Sequence, residues 1–340
     1  MFTTKRALSE EINSMEPRSL IVMATFNGEE FIREQIESIR KQTYKNWNLL
    51  IRDDGSNDKT IPIIKEFVAR DDRIRLIENT TTCHGAYINF WTLLHEAKKM
   101  EAYDFYFFSD QDDVWPSERM QWMIDEAEKQ DVNMPLLVYG DMQVIDRRGK
   151  IVYESLDAIM GIGQMSGYTE YYSSGFVWGC NAMINNVLFQ KVPLMNLDNP
   201  HVNVMSHDNY YTKFAIAIGT VRYIPNKCIK HRRYGNNTTG NYQMKLSPFT
   251  IIRRAIMQYS SVAKTHALGY VQTIQTIEMM KDEHMETSEV LDVENAIYSG
   301  GVKGVSIMAK QGVKRKQTSR TLGIYLIMLM GSYKKYMKCF

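Results

Sequence analysis

Four short apolar runs, at residues 19–24, 47–52, 74–78 and 104–109, alternate with three stretches of helical periodicity, at 29–42, 59–71 and 87–100. Short apolar runs bounded by turns read as buried strands. In the first helical stretch Phe31, Ile32, Ile36 and Ile39 fall on one side, the pattern of a helix packed on a core. Strand and helix in strict alternation predict an α/β fold: a mainly parallel sheet flanked by helices on both faces.

Ligands of such sheets bind beyond the carboxyl ends of the strands. Three of these ends carry polar chemistry: Thr25-Phe26-Asn27, Asp53-Asp54-Gly55-Ser56 and Asp110-Gln111-Asp112-Asp113. The third is the most pointed, because the aromatic run Phe105-Tyr106-Phe107-Phe108 gives way to three acids within four residues. Neighbouring carboxylates repel one another, and burying them is costly unless they are paired or metal-bound. Hard cations such as Mg²⁺ and Mn²⁺ prefer oxygen ligands and share them with diphosphates, so Asp110 and Asp112 suit a divalent cation. An acidic turn capping the helical pattern near Pro116 is the plain structural alternative. A carboxylate at 53 or 54 suits a pyrimidine N3–H or a ribose hydroxyl, and equally the backbone N–H groups of an Asx turn.

The second half is less regular. Residues 136–141, 176–182 and 221–224 read as strands and 209–218 as a helix. The glycines at 161, 163 and 167 do not fit a dinucleotide fingerprint and read as a flexible loop. At Ser206-His207-Asp208-Asn209 the serine suits a helix cap, and Asp208 suits either the helix dipole or a general base. His231-Arg232-Arg233-Tyr234 runs into a glycine- and asparagine-rich loop at 235–240. Arginine forks bind phosphate oxygens, and such a loop can close over a ligand; a solvated charge cluster is the alternative.

The formal net charge is +2, which favours no nucleic-acid partner. Cys83, Cys180, Cys228 and Cys339 form no CxxC pair, so neither a zinc site nor a disulfide framework is expected. With no apolar leader in residues 1–16, the expected location is the cytoplasm.

Together these motifs resemble the family 2 glycosyltransferases of GT-A fold, a Rossmann-like nucleotide-diphospho-sugar transferase architecture. The matching pieces are residues 22–27, 53–58, 110–113 and Asp208, with Phe26 in place of the family's usual tyrosine. The stretch from Ser109 to Trp115, His207-Asp208 and residues 231–240 are similar to bacterial polysaccharide rhamnosyltransferases. That branch commonly shows Tyr-Arg-Gln-His-Gly-Asn-Asn at the last site; here His231 and Tyr234 have exchanged ends and Arg233 replaces glutamine.

The resemblance implies inverting transfer from a nucleotide-diphospho-sugar, rhamnose first and a UDP-hexose or UDP-N-acetylhexosamine second, to a polysaccharide or lipid-linked glycan. It implies Thr25, Phe26, Asn27, Glu29, Asp54 and Asp110 at the nucleotide, and Asp112 with Asp110 at Mg²⁺ or Mn²⁺. Asp208 would be the base, His231, Arg232 and Arg233 would meet the diphosphate, and Trp115 and Asp113 would meet a sugar, although an aromatic after a strand equally suits the core. Asp110-x-Asp112-x-Val114 also fits a haloacid-dehalogenase-type phosphatase, but that motif sits on the first strand of its domain. A non-catalytic glycan-binding or assembly partner is the rival of a third class.

The expected organisation is an N-terminal extension at 1–17, a GT-A domain at 18–245 and a helical region at 246–340. In the last, Ile252, Ile256, Tyr259, Val262 and Ala263 recur at helical intervals, for packing on the core or forming a homo-oligomer. Within 318–338, an apolar segment between basic flanks fits either a helix lying on the inner face of the cell membrane, too short to span it, or an ordinary C-terminal helix with its apolar face on the core.

Overall fold

The computed structural model describes residues 16–163, 165–173, 175–234 and 259–340. The expectations for residues 1–15, the 235–240 loop and the helix start at 246–258 lie outside the described residues.

The first half alternates as the sequence predicts: β1 (Ser19–Thr25), α1 (Ile32–Arg40), β2 (Trp47–Asp53), α2 (Thr60–Val68), β3 (Ile74–Glu78), α3 (Ala86–Lys98), β4 (Phe105–Ser109) and α4 (Arg119–Ala127). The chain continues through β5 (Leu136–Ile145), β6 (Ile151–Tyr153), α5 (Leu156–Met160) and α6 (Thr169–Tyr172). A 3-10 turn at Gly179–Asn181 leads into β7 (Ala182–Asn185), α7 (Asn186–Lys191), α8 (His207–Ile218) and β8 (Thr220–Arg232). Among the described residues five helices follow: α9 (Tyr259–Asp282), α10 (Ser288–Ser299), α11 (Gly301–Lys310), α12 (Thr318–Met330) and α13 (Lys334–Met337).

The sheet runs β3-β2-β1-β4-β7-β5-β6, with β8 also paired to β5. The strands β3, β2, β1 and β4 are parallel, β7 is antiparallel to both neighbours, and β8 is parallel to β5. Thr25 lies opposite Asp53, and Met23 opposite Ser109. This register brings the three polar strand ends to one rim.

Side chains alternate across a strand, and the two faces of the sheet feed two cores. Leu20 and Val22 of β1, with Tyr106 and Phe108 of β4, pack among Trp91, Tyr210, Phe214, Ile274 and Val293. Ile21 and Met23, with Phe105 and Phe107, pack among Ile36, Ile64 and Met123. The C-terminal helices therefore complete one face of the sheet. Val313, Ile324, Ile327, Met328 and Tyr333 are all buried in that core.

The structure corrects four local readings. Of the expected 176–182 strand only Ala182 lies in the sheet, as the first residue of Ala182–Asn185; the preceding apolar residues are buried without a ladder, and burial alone gives them the same composition. The strand expected at 221–224 extends to 13 residues. Ser206 holds the N-cap position of α8, but its side chain caps nothing. The 161–167 glycines are packed: Gly161 and Gly167 have positive φ, and a Cβ at either would collide with Lys316 or the Gln311 carbonyl.

Candidate active site

The first two strand-end turns are laced together. Asp53 Oδ1 accepts from the Gly55 and Ser56 amides, and its Oδ2 accepts from the Thr25 and Ser56 hydroxyls. The Asn27 amide donates to Ser56 Oγ while Asn27 Oδ1 accepts from the Asn57 amide, with Asn27 at φ +46°. Glu29 accepts from the Lys59 amide, and its own amide donates to Asp58. The polar groups of Thr25, Asn27 and Glu29 thus fix the rim. The Phe26 ring projects from it, 51 % exposed. Asp54 is buried; it accepts from the Gly85 amide at 2.8 Å and from Asn79 Nδ2 at 2.9 Å, which ties β2 to the β3–α3 loop.

The acids after β4 meet the end of β8. Val114 and Lys230 form an antiparallel bridge, which sets Asp112 and Asp113 beside His231 and Arg232. Asp113 is fully buried, and its Oδ1 lies 3.0 Å from His231 Nδ1 and 2.9 Å from the Arg232 amide. Asp112 Oδ2 accepts from the Tyr234 hydroxyl at 2.7 Å, and the Tyr234 ring packs on Phe31. Burial, then the charges of Asp113 and Asp112, pushes Asp110 up to about 8. Burial, then Asp113, pushes Asp112 up to about 6 against the pull of Tyr234 and His231. Burial lowers the pKa of His231, but the three acids outweigh it and the net shift is upward.

Asp208 stands in the first turn of α8. Its Oδ2 accepts from the Gly179 amide at 2.8 Å, so the 3-10 turn orients the carboxylate. A Cβ on Gly179 would strike His207 Nε2, which makes glycine necessary for this approach. Burial pushes His207 down to about 4, so its ring is neutral, packed at a tilt between Phe90 and Phe108. Gly179 is followed by Cys180, whose thiol lies beside Asp113 and His231, so the general-base candidate borders the acid cluster.

Three residues do not take the surroundings the sequence suggests. Trp115 is only 3 % exposed, between Phe107 and the Arg119 guanidinium, so it offers no ring face to a sugar. Asp113 turns inward to His231 and the Arg232 amide. The Arg232 guanidinium is engaged with Glu34 and with the carbonyls of Asp112, Asp146 and Arg147, which makes it a brace under the acid loop rather than an open phosphate fork. The amide of Arg233 continues the strand by donating to Ile145 O.

The donor set fits a divalent cation. Asp113 Oδ2 and His231 Nε2 are buried with no hydrogen-bond partner among the described residues, and burial with the crowding of three acids raises the pKa of Asp110 and Asp112, a rise that a bound cation would relieve. Asp113, Cys180 and His231 bring one ligand atom each within 4.8 Å of one another. Burial pushes the Cys180 thiol up and keeps it protonated, so the carboxylates and imidazole are the better donors for a hard ion. The Asp113–His231 hydrogen bond orients the ring and leaves Nε2 directed away from it, the usual support of a metal-binding histidine.

The family model of glycosyl transferase family 2 matches residues 20–192, the segment that holds all three strand-end turns. The chain belongs to this family. Among its relatives, the dTDP-rhamnosyl transferase RfbG of Shigella flexneri is 28% identical over 224 residues, 64% of this chain and 73% of the relative. The glucosyltransferase WfgD of Escherichia coli, named for a UDP-Glc donor and a GlcNAc-diphosphoundecaprenol acceptor, is 32% identical over 152 residues, 42% of this chain and 56% of the relative. A solved structure of GalNAc-T7 with UDP, GalNAc and Mn²⁺ shares the fold at TM-score 0.52 and 12% identity, covering 87% of this chain and 59% of that one.

In this glycosyltransferase, sequence reasoning missed Gln111. Its amide accepts from the Phe26 N–H at 2.8 Å and donates to the Phe26 carbonyl at 2.9 Å. This two-point clamp joins the first turn to the acid cluster, and Gly28 leaves room for it, since a Cβ there would collide with Gln111. Tyr234 and Gly179 also escaped, because their roles depend on partners far away in the sequence.

Proposed function

We propose that this glycosyltransferase moves a sugar, with inversion, from a nucleotide-diphospho-sugar to a hydroxyl of a growing surface polysaccharide or lipid-linked glycan. L-rhamnose from dTDP-rhamnose is the first choice of donor. The observation that carries the reading is the convergence of three polar strand-end turns at one rim of the sheet, where Thr25 lies opposite Asp53 and Met23 opposite Ser109.

On this reading Asp208 takes the proton of the acceptor hydroxyl as that oxygen attacks the anomeric carbon. The bond from that carbon to the diphosphate oxygen breaks on the opposite face, and its electron pair leaves with the nucleoside diphosphate. The base side of the donor belongs to Phe26, with Thr25, Asn27 and Glu29 shaping the turn, and to Asp54 and Asp110. Asp110 and Asp112, beside the unpartnered Asp113 Oδ2 and His231 Nε2, would hold Mg²⁺ or Mn²⁺, which when bound supplies Lewis-acid neutralisation of the leaving diphosphate. Arg233 keeps the diphosphate role that the family resemblance gives it, and Arg232 braces the loop beneath. The cytoplasmic face of the cell membrane is the expected place of work.

Rhamnose is favoured by the Ser109–Trp115 run and by the likeness to a dTDP-rhamnosyl transferase. The likeness to a UDP-Glc transferase supports a UDP-hexose as the second reading. Thermal-shift titration with dTDP-rhamnose, UDP-glucose and UDP-N-acetylglucosamine, each with and without Mn²⁺, separates them. Specific binding raises the melting temperature by mass action, and dTDP-rhamnose with Mn²⁺ is expected to give the largest rise. A larger rise with UDP-glucose replaces the donor, and no response to any nucleotide sugar removes the reading.

Gln111→Met keeps the length of the side chain and deletes both hydrogen bonds of the clamp. A neutral hydrogen bond contributes about 1 kcal/mol, so affinity for the nucleoside diphosphate should fall roughly tenfold as Phe26 loses its fixed position. Titration calorimetry with dTDP reads this directly. Equal affinities in the two proteins would mean that the clamp does not position the base.

A further inference from the structure

The helix α12 is apolar on both sides. Ile324, Ile327 and Met328 face the core, whereas Leu322, Leu326, Leu329 and Met330 are 59 %, 52 %, 46 % and 60 % exposed. The exposed four recur at helical intervals, so they form one continuous outward stripe. Such stripes on a protein surface mark contact with another apolar phase.

Charge identifies that phase. After Glu294 the chain holds nine Lys and Arg and no Asp or Glu, although the whole chain carries a net charge of only +2. Exposed Lys314 and Lys316 precede the stripe along the chain, and exposed Lys334, Lys335 and Lys338 follow it. Lys334 Nζ donates to Ser299 O at 2.7 Å, which ties the α10–α11 junction, with exposed Tyr298 and Val302, to the same end of α12. Among the described residues no helix is long and apolar enough to cross a membrane.

We propose that the outer face of α12, with its basic surround, is a docking surface for an anionic lipid bilayer. The leucines enter the boundary between headgroups and acyl chains, and the lysines meet the lipid phosphates. The helix is held in place by Ile324, Ile327 and Met328, so this face is presented ready-made and needs no refolding on contact. The surface would bring the active site to the proposed lipid-linked acceptor. Its physical basis does not depend on that acceptor.

Co-flotation of the full chain with vesicles tests the surface. One set mixes phosphatidylglycerol with phosphatidylcholine; the other is phosphatidylcholine alone. The bound fraction should be roughly tenfold or more higher on the anionic set, and it should fall with added salt. The double variant L326E/L329E should lose roughly tenfold or more of that binding, and K335E/K338E should lose the preference for anionic lipid. These positions are exposed, so melting temperature and nucleotide-sugar binding should stay unchanged. Equal binding to both vesicle sets, or a double variant that binds like the parent, overturns the proposal. So does a concentration-dependent dimer that L326E/L329E dissociates while neither vesicle binds, because the face then belongs to a second copy. Vesicle binding with no response to any nucleotide sugar would leave the surface standing and remove the donor reading instead.

Discussion

Asp208→Asn is expected to lower kcat by about a thousandfold or more and to leave donor affinity nearly unchanged. Positioned general bases contribute about 10²- to 10⁴-fold, and an amide cannot accept the proton. The substitution is otherwise conservative. The asparagine oxygen can still accept from the Gly179 amide at 2.8 Å, and the start of α8 keeps its shape. Melting temperature should change little, and so should the KM for the donor, because Asp208 acts on the acceptor. Steady-state kinetics with donor and acceptor varied separately would show the loss in kcat. A variant that turns over like the parent would remove Asp208 as the base. If glycan synthesis in cells were also unchanged, the chain would be better described as a binding or assembly partner.

The first half of the fold could be read directly because each element there repeats at its own period. β1 alternates Leu20 and Val22 against Ile21 and Met23, and helices lie on both faces of it. Periodicity was weaker evidence later in the chain. Residues 176–182 are apolar because they are buried, but most of them make no ladder. β8 carries Asn226, Lys227 and Lys230 along a partly exposed strand, and these hid all but its apolar start. The candidate site divides in the same way. Asp110, Asp112 and Asp208 stand out by residue type and position. The inward turn of Asp113 and the bracing role of Arg232 follow from the Val114–Lys230 bridge, a tertiary pairing between segments more than a hundred residues apart. Gln111 gives no linear signal at all, since its partner is the backbone of Phe26.

The two inner acids should respond to substitution in opposite ways. Asp112→Asn removes one of three crowded charges and keeps an acceptor for the Tyr234 hydroxyl. The metal-free protein should therefore be as stable as the parent or more so, by up to about 1 kcal/mol, while Mn²⁺ affinity falls at least about a hundredfold and activity with it. Asp113→Asn breaks a buried pair with His231 and should cost about 3 kcal/mol. The pH dependence carries the same information. Asp110 and Asp112 have pKa values raised to about 8 and about 6 from 3.8, so between those limits the folded chain holds more protons than the unfolded one. The contribution of these two carboxylates to the stability of the metal-free protein, read as the difference between the parent and Asp112→Asn, should thus decline as pH rises through this window, whereas His207 and His266, which burial holds low, contribute in the opposite sense. Saturating Mn²⁺ should flatten the decline, because the cation compensates the charge that deprotonation leaves behind. Chemical denaturation across this range, with and without Mn²⁺, measures both slopes. A difference between parent and Asp112→Asn that does not change with pH, or that Mn²⁺ does not change, would mean that these carboxylates neither crowd one another nor hold the ion.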